Sequence, residues 1–149
     1  MDEQSQNTGD EQHQNLWSLG CSGAIAGWLL LGAVTVVTFR LMQGARFYPT
    51  DSINVFFFKA GDGSVLGAVS ALSYAWSRHR DFKRAGKVCI ALGGVIAAFW
   101  TFIAVFGDAG NGSPKEKVEA FWCWDAATIL WSVILVFWGI ALLTKAKVK

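Results

Sequence analysis

The sequence predicts an all-α membrane protein, a bundle of four transmembrane helices with both termini cytoplasmic. Three observations lead there. Only 16% of its 149 residues are charged and 53% are hydrophobic, whereas a soluble domain carries about 25% charged residues. Uncharged runs of 24, 19 and 19 residues cover Leu16–Phe39, Val88–Phe106 and Ala126–Thr144, close to the ~20 residues a helix needs to cross hydrocarbon. Basic residues gather between the runs: none of the 13 Lys and Arg precedes Arg40, and "SRHRDFKRAGK" holds five. The net charge of +2 and this clustering give no case for nucleic-acid binding.

Residues 1–15, "MDEQSQNTGDEQHQN", are polar and mildly acidic without apolar periodicity. They cannot bury enough surface to offset ordering entropy, which predicts a disordered tail. The segment lacks the basic n-region of a cleavable signal, so the first span, residues 16–39, is expected to stay as an anchor. The transmembrane domain covers residues 16–145.

The second span is the weak one. Its charge-free part, Gly63–Ser77, has 15 residues, about 22 Å of helix at 1.5 Å each. Extending it to residues 56–76 draws in Lys59 and Asp62. The loop with Arg78, Arg80, Lys83, Arg84 and Lys87 is cytoplasmic by the positive-inside rule and is expected to meet anionic lipid. A three-span arrangement, with the second stretch on the surface, gives a cleaner charge asymmetry. Against it, "SVLGAVSALSYAW" offers no basic face for an interfacial helix. It does carry Gly63, Gly67 and Ala71 at four-residue spacing, a stripe suited to close helix contact in lipid.

The third span covers residues 88–106 and the fourth about 125–144, followed by a basic tail at 146–149. Between them, Asn111-Gly112-Ser113 is an N-glycosylation acceptor pattern outside the membrane, although Asn-Gly and Ser-Pro are equally ordinary turn chemistry.

Small-residue stripes recur as Gly23 and Gly27 in the first span and Gly94 and Ala98 in the third. They serve either packing within the bundle or association between copies. Of eight tryptophans, Trp17, Trp76, Trp122 and Trp124 fall at membrane boundaries, while Trp28, Trp100, Trp131 and Trp138 lie deeper. The deeper four are read as packing or lipid-facing rings rather than a cation-binding cage.

Cys21, Cys89 and Cys123 are an odd set without CxxC spacing, and neither His13 nor His79 has a partner at ligand or catalytic spacing. No cofactor or metal site and no enzyme chemistry can be assembled. Reversible acylation of Cys21 or Cys89 is the minority alternative to inert thiols. Four ionisable groups lie near the outer face: Arg40, Lys59, Asp62 and Asp125. An intramembrane charge is a functional candidate by default. Lys59 is expected to snorkel outward, to pair with Asp62 three residues on, and Asp125 to sit at the interface.

Four short-looped helices with a basic loop between the second and third resemble the MARVEL-type tetraspan proteins, especially small fungal members. The likeness lies in "CIALGGVIAAFWTFIAVFG", with its small-rich run and mid-helix Phe99-Trp100. It lies also in "CWDAATILWSVILVFWGIALL", a cysteine and Ala-Ala step before an aromatic-rich span; together they cover about 40 residues. The resemblance implies a non-enzymatic protein of the plasma membrane or secretory pathway that organises membrane or assists vesicle trafficking. Its expected partners are lipids and a second copy or another membrane protein. The alternatives are a small transporter or channel subunit using Asp62, or an accessory subunit of a larger membrane complex.

Overall fold

A computed structural model describes residues 3–43, 49–107, 118, 121–122 and 125–148, with side chains at 15–42, 53–106, 118, 121–122 and 125–148. Among these the secondary structure is helix joined by short turns, with no strand. The helices are α1 (Glu3–Gln43), α2 (Pro49–Phe58), α3 (Ala60–Arg78), α4 (Phe82–Phe102) and α5 (Ala126–Lys147), with α4 running into a π turn, Ile103–Gly107. Asn111, Cys123, Trp124 and Lys149 lie outside the described residues.

Three stretches are long and apolar enough to cross a membrane: Asn15–Met42, Phe82–Phe106 and Ala126–Lys147. Several boundaries differ from those expected. The polar segment expected to be disordered is helical from Glu3; Glu and Gln extend a helix already nucleated by the apolar run at little cost. The third span starts at Phe82 rather than Val88, so Lys83, Arg84 and Lys87 stand on α4 and not in a loop. Long basic side chains are good helix formers and reach water from a helix end. Lys145 and Lys147 likewise belong to the last turn of α5.

The expected second span is interrupted at Lys59. Its N–H still bonds Val55 O at 3.2 Å and its carbonyl accepts from Gly63 N at 3.0 Å. The break is therefore a hitch of one residue between α2 and α3. Trp28 Nε1 of α1 donates to the Phe56 carbonyl beside it at 3.3 Å.

Two close pairs build the molecule, α1 with α3 and α4 with α5, and α3 against α4 joins them. The first seam is made of glycine. A Cβ at Gly27 would strike the Gly63 carbonyl oxygen and lie 2.6 Å from Gly67 Cα. One at Gly23 would lie 2.5 Å from the Ala71 Cβ. The small stripes of the two helices thus face one another inside one chain. The second seam uses other glycines than those expected: a Cβ at Gly86 would come 2.8 Å from Gly139 O, and one at Gly93 2.9 Å from Ser132 O. Gly94 has nothing within 4 Å of its Cβ position, and Ala98 is exposed beside it.

Only three residues, His79, Arg80 and Asp81, separate α3 from α4. The Arg80 N–H bonds Ser77 O at 3.1 Å and the Asp81 N–H bonds Trp76 O at 2.9 Å. This is a Schellman closure with Arg80 in the left-handed region at φ 64°. Asp81 then accepts from Arg84 N at 3.1 Å as the N-cap of α4. One residue closes the first helix and opens the next.

Candidate functional site: a buried charge cluster

Lys59 is where the structure departs most from expectation. Its side chain is 0% exposed, turned into the bundle rather than outward to water. The α2–α3 hitch aims it at the two remaining helices. Its Nζ lies 3.9 Å from the centroid of the Trp100 ring on α4. It also donates to Thr128 Oγ1 on α5 at 3.4 Å and pairs with Asp62 Oδ2 at 3.6 Å. Asp125, at the N-cap of α5 and 7% exposed, adds a second attracting carboxylate. Asp62 keeps 23% side-chain exposure.

The physical reason for the inward turn is the cost of an unpaired ammonium in an apolar medium, which exceeds what any single neighbour returns. A ring face, a hydroxyl and two carboxylates converge on one cation, so the protein interior is the better solvent. A desolvated cation over an indole gains about 2 kcal/mol. Trp100 is thus a cation-binding ring after all, with the chain's own lysine as the cation.

The other buried polar groups continue this inner lining. Thr35, Ser73, Thr128 and Ser132 are each at most 1% exposed. Thr35 and Ser132 bond carbonyls one turn back on their own helices, at 2.8 Å each. Others cross between helices: Cys89 Sγ donates to Ser73 Oγ at 2.9 Å and Trp131 Nε1 to Ser70 Oγ at 3.3 Å. Trp17, Trp122 and Trp138 stay largely exposed, as membrane-facing rings should.

The remaining expected site residues scatter. Arg78, Arg80, Lys83, Arg84 and Lys87 are exposed at the α3–α4 end, where Arg84 lies 4.9 Å from the Trp76 ring centroid. Cys21 is exposed and Cys89 buried. Among the described residues no group of three or more His, Cys, Asp and Glu could hold a metal ion. Sequence reasoning found the Lys59–Asp62 pair from its spacing. It missed Trp100 and Thr128, which are distant in the chain, and Gly86, Gly93 and Gly139, whose wide spacing carries no familiar pattern. Comparison with protein-family models, curated proteins and solved structures returns no match.

Proposed function

We propose that the chain is a non-enzymatic, MARVEL-like tetraspan, with both ends cytoplasmic, that organises membrane or assists vesicle trafficking in the plasma membrane or secretory pathway. The observation that carries this reading is the inversion of the bundle. Large apolar side chains such as Leu30, Val37, Val95, Phe102, Leu130 and Phe137 face outward, while Lys59, Thr35, Ser73, Thr128 and Ser132 are buried. Little of the described chain stands clear of the helices, so lipid contact is its main interaction. Four crossings are supported by α3 itself: its 19 residues make about 28 Å of helix, packed lengthwise on the apolar α1. The stripes Gly23/Gly27 and Gly63/Gly67/Ala71 act within the chain, so association with a second copy does not run through them.

The test is the side on which the chain begins. A tag at residue 2 should survive protease in sealed vesicles that enclose the cytoplasmic face, and be cut once detergent is added. Cutting in intact vesicles overturns four spans and, with them, the tetraspan reading.

One observation favours a transporter or channel subunit as the second reading: the buried ammonium of Lys59 pairs with Asp62, whose carboxylate is itself partly exposed. Reconstituted protein would then lose ion or proton flux on Asp62→Asn; full flux retained by that variant removes this reading.

A further inference from the structure

Beside the glycine seam, α1 and α3 part into a trough of about 600 Å³, within the usual ~300–1,000 Å³ of small-molecule sites. It exists because the residues flanking the seam are small: Gly20 and Ala24 on one wall, Ala68 on the other, with Leu72 and Trp76 behind. From Leu16 to Ala24 it runs about 12 Å along α1, most of the ~15 Å depth of one leaflet's hydrocarbon. Among the described residues the only charged one lining it is Arg84. The first turn of α4 delivers that side chain to the mouth, with the Asp81 cap fixing the backbone and the Trp76 ring beneath the guanidinium.

We propose that this trough holds one acyl chain of an anionic phospholipid, with the lipid phosphate on Arg84. This deepens the lipid-contact reading above and rests on it. The wall is apolar and the mouth carries a planar guanidinium whose paired donors match phosphate oxygens. Arg80, Lys83 and Lys87 stand exposed at the same end, and among the described side chains of that turn Asp81 is the one carboxylate, its Oδ1 already accepting from the Arg84 backbone. This basic cluster on the α3–α4 turn disfavours a headgroup that carries its own ammonium. A soluble ligand has no claim on a trough whose walls belong to membrane-spanning helices.

The test uses the full chain reconstituted in phosphatidylcholine, with spin-labelled phosphatidylglycerol or phosphatidylcholine as probe, reading the motionally restricted fraction. The wild type should prefer phosphatidylglycerol. Arg84→Gln should cut that preference roughly tenfold, equivalent to about 1.4 kcal/mol, through loss of the charge-assisted hydrogen bonds to the phosphate. Lys83→Gln removes the same charge from the same turn and should change it less than twofold. Gly20→Leu fills the trough and should reduce restriction of both lipids; a Cβ at Gly20 first meets Leu72 at 3.7 Å, leaving the glycine seam untouched. Equal losses for Lys83→Gln and Arg84→Gln would mean diffuse surface attraction and overturn the proposal. So would competition by millimolar inorganic phosphate without any effect of Gly20→Leu, which identifies a free-anion site. Copy-to-copy crosslinking that Gly20→Leu abolishes in the absence of anionic lipid would give the trough to a second chain instead. Each of these outcomes leaves the protease-protection result standing, so the two readings fail separately.

Discussion

At Lys59 a single side chain ties three helices together, since its ammonium touches Asp62 on α3, the Trp100 ring on α4 and Thr128 on α5. Such a cluster is valuable mainly against its own partial loss. Replacing all the charged partners together with apolar groups of similar shape is often neutral or stabilising, whereas stripping one partner leaves a buried charge exposed to apolar surroundings. Lys59→Met, which removes the cation and leaves the carboxylates of Asp62 and the buried Asp125 in place, is therefore expected to cost about 3–5 kcal/mol of unfolding stability in detergent. Asp62→Ala should cost about 3 kcal/mol, the low end for a buried pair because Asp62 is partly exposed. Equal midpoints for Asp62→Ala and the wild type in a denaturant titration would show that the pair contributes nothing. The pair was legible at three-residue spacing. The direction of the lysine was not, because snorkelling and inward burial differ only in what the distant helices offer, and Thr128 stands 69 residues away.

At the scale of the helix, small residues decide how near two backbones come. In lipid the gain is dispersion and weak polar contact rather than water release, so a single methyl group in the wrong place forces the pair apart. Gly27→Leu is expected to lower unfolding stability by about 1–3 kcal/mol through overpacking against Gly63 and Gly67. Gly94→Leu, on an open face, should stay within about 0.5 kcal/mol. A matched loss in both variants, read by thermal unfolding in the same detergent, would contradict the placement of the seam. The four-residue stripes of α1 and α3 could be read from sequence, and so could their suitability for close packing. Which stripe meets which could not. Gly94 and Ala98 have the same spacing and face outward, while Gly86 and Gly93, a wider step apart, meet α5. The partner helix sets that rotation, and local spacing carries no record of it.

Across the whole molecule the apolar runs announced three of the helices, and the crowding of Arg and Lys after Trp76 announced the turn between α3 and α4. The polar opening segment and the hitch at Lys59 were less legible, since both depend on neighbours: one on an existing helix to extend, the other on the ring of Trp100 and the hydroxyl of Thr128. The short turn at residues 79–81 has one more consequence. With Asp81 serving both helices there is no slack for α3 to wait on one side while α4 enters alone. Under the four-span reading the two must leave the insertion machinery as a single hairpin. The more apolar α4 then carries its weaker partner into the bilayer during synthesis.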